Sequence, residues 1–221
     1  AHELNQPLTA ISTNARACVR MLESGRTTPE RCSDVLEKVA VQAERAGEVI
    51  RHMRRFVRKD EPGLEPLRLG TAIDSVVELL RPDARRAGIT LQLDLAGSDR
   101  CVMAQAIQIE QVILNLARNA IEAMADSPPE RRRLMLRTRP AGDRRMKIQV
   151  SDTGPGLSRE VSDTLFEPFV TTKPQGLGLG LSISSGIVAA HGGKLVVESR
   201  PGTGAVFSFS LPLAGKEDRH E

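Results

Sequence analysis

A histidine with a carboxylate beside it stands at the start of the chain, where His2 is followed by Glu3. A neutral imidazole is a competent nucleophile around neutral pH, and an adjacent carboxylate can orient it and accept the proton it loses. Taken alone, such a histidine is an ordinary surface residue and Glu3 an ordinary solvated carboxylate. Further along, Asn115 and Asn119 lie one helical turn apart, so their amides face the same way and can offer oxygens to a divalent cation or donors to phosphate. Val112, Ile113, Leu116 and Ile121 surround them, and paired amides on an otherwise apolar helix are costly without partners. Asp152 follows the apolar stretch Ile148 to Val150 and precedes Gly154 and Gly156. A carboxylate at a strand end can accept a hydrogen bond from a purine amino group, and glycines let backbone approach a base closely. The same DTGPG string also makes an acceptable turn. Gly176, Gly178 and Gly180 alternate with leucines and run into an apolar helix, with Lys173 just before them. Glycines ahead of a helix N-terminus can form an anion site from backbone amides, although GLGLG is equally a flexible loop and matches neither the Walker nor the dinucleotide pattern.

The elements that must carry these residues can be read from periodicity. Leu4, Leu8, Ile11, Ala15, Cys18 and Leu22 are spaced by fours and threes, the seam of a packed helix. Thr28 and Pro29 read as the N-cap and first-turn proline of a second helix. Its seam runs through Cys32, Leu36, Val39, Ala43, Ala46, Ile50, Met53 and Val57. The register places His2 off the seam and toward solvent. An antiparallel hairpin with one apolar face cannot bury that face alone, so the expectation is a homodimer closing a four-helix bundle. This hairpin occupies residues 1–58, and the charged, Pro- and Gly-containing segment 59–65 is read as a linker. Residues 66–214 form a second domain, and 215–221 a polar, frayed tail.

In the second domain, helices are expected near residues 71–86, 105–125 and 179–191. Strands are expected near 89–95, 134–138, 147–151, 195–199 and 205–211. Intermixed strands and helices without βαβ regularity predict an α/β sandwich with a mixed sheet.

Composition narrows the function. Aromatic residues make up only 2% of the chain, with no Trp or Tyr, so the base-stacking platforms of a single-stranded nucleic-acid binder are missing. The net charge of +3 is spread among 28 acidic residues, which describes a solvated surface, arginine clusters 131–133 and 144–145 included. Cys18, Cys32 and Cys101 are odd in number and form no CxxC pair, which argues against a disulfide framework or zinc site and for a reducing compartment. All three are expected to be small core residues. No apolar run approaches the roughly 18 residues of a membrane helix, and no signal peptide is visible. The expectation is a soluble, cytoplasmic fragment without membrane contact, whose upstream sensor domain is missing; whether a longer protein is membrane-anchored stays open.

Four strings occur in one order along nearly the whole chain: HELNQPL at 2–8, NLARNAIEA at 115–123, DTGPGL at 152–157, and FEPFVTTK with GLGLGLSI over 166–183. Together they resemble the H, N, G1, F and G2 boxes of sensor histidine kinases, most closely the group with oxygen- and dicarboxylate-sensing members. The resemblance implies a dimerisation and phosphotransfer hairpin followed by a Bergerat-type ATP-binding domain. It implies autophosphorylation of His2 with Glu3 as base, and transfer to an aspartate of a response regulator receiver domain. It makes ATP and Mg²⁺ the cofactors, with Asn119 the principal Mg²⁺ ligand and Asn115 assisting. Asp152, Gly154 and Gly156 then bind adenine. Residues 154–180 form a lid pinned by Phe166 and Phe169, in which Lys173, Gly176, Gly178 and Gly180 face phosphate. Gln6, four residues after the histidine, is the candidate for dephosphorylating the partner, where relatives more often carry Asn or Thr. Two other classes remain. ATP-hydrolysing relatives with the same nucleotide fold, such as heat-shock chaperones, type II topoisomerases and mismatch-repair proteins, place a general-base carboxylate where this chain has Asn115. A nucleotide-gated scaffold would leave His2 unused.

Overall fold

The computed structural model describes residues 2–24, 28–40, 42–43, 63–171 and 178–215, with side chains from Thr9 onward. The chain divides into two compact units, Ala1–Glu61 and Pro62–Glu221.

In the first unit, helix α1 spans His2–Glu23, and a second helix, α2, is described over residues 29–40. Thr28 starts α2 as expected, its hydroxyl accepting the Arg31 N–H at 3.5 Å. The seam divides on folding. Cys18 and Cys32 are buried, whereas Leu22 and Leu36 remain 60% and 55% exposed. One side of the apolar stripe is therefore consumed by hairpin packing and the other is left uncovered. Leu4 and Leu8, by their side chains, and residues 46, 50, 53 and 57 of the expected seam lie outside the described residues, as do positions 59–62 of the linker and 216–221 of the tail.

The second unit starts with strand β1 (Glu65–Arg68), so the last residue of the segment read as a linker already pairs in a ladder. Helix α3 (Leu69–Arg86), β2 (Thr90–Leu95), β3 (Cys101–Ala104) and α4 (Ala106–Ala123) follow. Next come β4 (Arg133–Pro140), β5 (Arg145–Asp152), the short α5 (Arg159–Thr164), α6 (Gly180–Ala190), β6 (Val196–Ser199) and β7 (Ala205–Pro212). Five strands pair in the order β2-β4-β5-β7-β6, with β2 and β4 parallel and the other neighbours antiparallel. This is the mixed sheet that the absence of βαβ regularity predicts.

Period-two alternation sorts each central strand. Leu134 and Leu136 of β4, Met146, Ile148 and Val150 of β5, and Phe207, Phe209 and Leu211 of β7 are buried on one face. They meet the apolar stripes of α3 (Ile73, Val76, Leu80) and α4 (Ile109, Val112, Ile113, Leu116) in one core. With five Phe and no Trp or Tyr in the chain, that core is mainly aliphatic.

Strands β1 and β3 and helix α5 were not foreseen from periodicity. Strand β1 reads EPLR, with a proline and charged ends, β3 reads CVMA, with no polar alternation, and α5 has six residues, too few for a helical period. Two arginines read as solvated are structural ties. Arg132 donates to the carbonyls of Ser127, Ala87 and Ala125, and Arg145 to those of Gly192 and Ser210. Of the cysteines expected in the core, Cys101 is only half-buried, because its short strand lies in a two-stranded ribbon outside the main sheet.

Candidate functional site

Alternation along β5 decides where Asp152 points. It continues the series Met146, Ile148, Val150 and so falls on the helix-facing side, where it is only 8% exposed. Its Oδ1 accepts the backbone N–H of Gly154 at 2.8 Å and of Ala205 at 3.3 Å. Among the described residues no donor reaches Oδ2. Burial pushes the carboxyl above its ordinary value of 3.8, against the opposing pull of those two N–H groups. The turn aspartate and the buried acceptor are thus one residue: the turn bond holds one oxygen and leaves the other for a ligand.

The loop after Asp152 is braced by the β6–β7 turn. A Cβ on Gly154 would come within 2.9 Å of Asp152 Oδ1 and 3.3 Å of the Ala123 carbonyl at the end of α4. Gly156 has φ +73° and faces the Arg200 carbonyl, where no Cβ fits. The Leu157 N–H donates to Ser199 Oγ at 2.9 Å, and Ser199 Oγ donates to the Gly204 carbonyl at 2.7 Å. The Gly202 N–H donates to the Pro155 carbonyl at 2.6 Å. Ser199, Gly202, Gly204 and Ala205 were missed by reading the sequence. Only the antiparallel pairing of β5 with β7, which sets Ser151 opposite Val206, brings the turn at 201–204 to Asp152.

Helix α4 presents Asn115 and Asn119, both half-buried. Asn115 Nδ2 donates to Ser184 Oγ at 2.9 Å, and Ser184 Oγ donates to the Gly180 carbonyl at 2.9 Å. A Cβ on Gly180 would lie 2.8 Å from Asn115 Oδ1. Gly180 therefore lets the first turn of α6 approach the amide closely. The far ends of the two helices are joined by the buried His191, whose Nε2 accepts the Gln105 N–H at 3.0 Å while Nδ1 donates to the Ile187 carbonyl at 2.7 Å. With Nε2 accepting from Gln105, the bond to the Ile187 carbonyl is the one made by Nδ1.

Phe166 packs against the core. Phe169, 60% exposed, adopts φ +68° and donates its N–H to the Gly178 carbonyl at 3.1 Å. Gly178 itself has φ +67°, and a Cβ there would be 2.5 Å from the Phe169 carbonyl carbon. The F- and G2-type strings are thus joined through backbone at residues 169 and 178. Lys173 and Gly176, and the side chains of His2, Glu3 and Gln6, lie outside the described residues. Among the described residues no group of three or more His, Cys, Asp or Glu could hold a metal ion.

The mixed sheet, the buried strand-end carboxylate Asp152 and the paired asparagines Asn115 and Asn119 all lie in the second unit. The family described as Histidine kinase-, DNA gyrase B-, and HSP90-like ATPase matches residues 104–215. The His Kinase A (phospho-acceptor) domain matches residues 1–62. The chain belongs to the sensor histidine kinases of two-component systems. It is 43% identical over 216 residues to the sensor protein FixL of Bradyrhizobium diazoefficiens, covering 97% of this chain and 42% of FixL. It is 39% identical over 213 residues to the C4-dicarboxylate transport sensor protein DctS of Rhodobacter capsulatus, covering 96% of this chain and 32% of DctS. The chain thus spans less than half of these relatives. Among solved structures, histidine kinase ThkA in complex with response regulator protein TrrA aligns with TM-score 0.75 at 25% identity, covering 97% of this chain and 60% of that one. Full-length ShkA in complex with AMPPNP aligns with TM-score 0.71 at 27% identity, covering 94% and 46%.

Proposed function

We propose that this chain is the catalytic core of a sensor histidine kinase that transfers the γ-phosphoryl group of ATP to His2 and then to an aspartate of a response regulator. The observation that carries this reading is Asp152, a buried carboxylate with one oxygen held by two backbone N–H groups and the other open. That second oxygen suits the amino group of adenine, and Gly154 and Gly156 leave room for the base. The amide oxygens of Asn119 and Asn115 suit Mg²⁺, a hard cation that takes oxygen ligands. Bound Mg²⁺ supplies charge neutralisation on the phosphates.

In the proposed step the His2 imidazole attacks the γ-phosphorus, the bond from phosphorus to the bridging oxygen breaks, and ADP departs. Glu3 accepts the imidazole proton. Gly178 and Gly180 shape the segment that closes over phosphate, and Lys173 and Gly176 belong to it. Residues 1–58 serve as the dimerisation and phosphotransfer hairpin, 59–65 as linker, 66–214 as catalytic domain and 215–221 as tail. The partners are a second copy of the chain, a receiver domain and an upstream sensor domain, and the chain works in the cytoplasm. The ThkA–TrrA complex and the AMPPNP complex of ShkA support the receiver and ATP assignments by likeness. Hydrolysis is disfavoured because Asn115 is no general base and its amide N–H is engaged with Ser184.

Incubation with γ-labelled Mg·ATP tests the reading. Acid-labile, base-stable label on the protein, absent from His2→Ala, is the expected result. Label that persists in His2→Ala, or ATP binding without any label even when an upstream helix is added, overturns it.

A further inference from the structure

An amide side chain has one shape and two chemistries: a half-turn about its last bond exchanges an oxygen that accepts for a nitrogen that donates. At Asn115 that choice decides whether α4 offers a cation an oxygen or a pair of N–H groups. Ser184 of α6, 2% exposed, faces this amide. A hydroxyl has a single hydrogen, and Ser184 gives it to the Gly180 carbonyl at 2.9 Å. Its Oγ is left with lone pairs alone, so the end of Asn115 turned toward it must be a donor, and Nδ2 stands there at 2.9 Å. We propose that Ser184 is a positioning residue for the nucleotide site: it holds the Asn115 amide nitrogen against α6 and so keeps Oδ1 for the Mg²⁺ that accompanies ATP. This inference rests on the assignment of Asn115 to that cation and adds the group that sets its orientation.

Three residues build the contact. Gly180 opens α6, and Ser184 lies one turn further on the same face. With no Cβ at Gly180, the helix comes near enough for the amide to reach the hydroxyl; a Cβ there would lie 2.8 Å from Asn115 Oδ1 and 3.2 Å from Nδ2. Ser184 and Val188 are the buried residues of α6, and an apolar side chain at 184 would suit that stripe by itself. A hydroxyl is costly to bury without partners, and the bond to Asn115 is the one that reaches outside its own helix. Among the described residues no donor reaches Asn115 Oδ1, so the fixed amide leaves its oxygen open.

Fixing the amide before the cation arrives removes a rotation that binding would otherwise have to freeze. It also excludes the flipped form, in which N–H groups would oppose positive charge. Groups that orient metal ligands in this way carry about 10- to 100-fold in metal affinity. One hydrogen bond to one of two amide ligands belongs at the lower end, about tenfold.

The test uses the full chain and compares the parent with Ser184→Ala, Asn115→Ala and the double variant. Alanine favours the helix and removes a single oxygen atom from a packed stripe, so the fold persists, which denaturant unfolding verifies. Calorimetry gives the ATP affinity with Mg²⁺ and with chelator, and the ratio of the two is the readout. That ratio should fall about tenfold in Ser184→Ala, and Ser184→Ala should add no further fall in the Asn115→Ala background. In the nucleotide-free chain, NMR should show the side-chain amide protons of Asn115 exchanging with water faster once the hydroxyl is gone. A ratio lowered by Asn115→Ala but not by Ser184→Ala overturns the role of Ser184 alone. A ratio that Asn115→Ala leaves intact removes Asn115 from the cation, and the proposal with it. Equal losses of affinity with and without Mg²⁺ would show a packing role only and also overturn it.

Discussion

Gly204 sits directly against the backbone of Asp152: a Cβ on Gly204 would run into the Asp152 carbonyl oxygen, and Gly204 also has φ +84°. The next residue, Ala205, gives its N–H to the Asp152 carboxylate. One turn thus fixes both ends of the residue assigned to adenine. In Gly204→Ala the backbone conformation alone costs about 1–3 kcal/mol, and the clash adds to it. Denaturant unfolding of the variant should show that loss, accompanied by weaker ATP binding in calorimetry.

Asp152→Asn should separate stability from binding. The amide oxygen can keep the N–H groups of Gly154 and Ala205, leaving NH₂ to face the adenine amino group, donor against donor. Loss of a charge-assisted hydrogen bond is worth about 1.5–3 kcal/mol, so ATP affinity should fall about 10- to 100-fold. The pH dependence has a definite sign. Burial raises the folded Asp152 above 3.8, so its contribution to stability is full below 3.8 and is lost as pH rises through the folded value. The asparagine variant has no such titration. Its unfolding midpoint should gain on the parent's as pH climbs from 3.8 toward neutrality; a constant difference would contradict the assignment.

Gly180→Ala sets two effects against each other. Alanine favours a helix over glycine by about 1 kcal/mol, yet the new Cβ would lie 2.8 Å from Asn115 Oδ1 and must displace that amide. Global stability should change by less than about 1 kcal/mol. Mg²⁺-dependent nucleotide binding should weaken, seen as a smaller difference in affinity between titrations with and without Mg²⁺.

The uncovered hairpin face carries Leu22 and Leu36. Burying a leucine fully is worth about 1.5–3 kcal/mol, so two copies of the chain gain by pairing there. Leu36→Glu should shift the mass measured by light scattering from dimer to monomer, with the ATP affinity of the second unit unchanged.

For Gln6, the expected outcome concerns the reverse reaction. Gln6→Ala should lose dephosphorylation of the phosphorylated receiver while label transfer to His2 continues. Unchanged dephosphorylation would remove Gln6 from that role.

Most of the second unit was legible because burial is one-sided. Strands such as β7 alternate at period two and helices such as α4 carry one apolar stripe, so existence and type followed from spacing. Boundaries held to within two residues at α3, where the expected start at residue 71 became Leu69. Strands β1 and β3 escaped because EPLR carries a proline and charged ends and CVMA has no polar alternation. Among the site residues, Asp152, Asn115 and the glycines stood out by type and neighbourhood. Ser199, Gly204, Ser184 and His191 did not, since a serine or glycine in a turn and a histidine at a helix end are common for local reasons.

Local pattern determined the helices, the strands, the faces they bury and the residue types available for chemistry, because those depend on neighbours one to four positions away. Tertiary structure alone decided that the turn at 200–204 braces Asp152 and that Asn115 meets Ser184 and Gly180. Each of these joins residues from different elements. Such contacts follow from which strand pairs with which and which helix packs on which, and no spacing within a single segment encodes that.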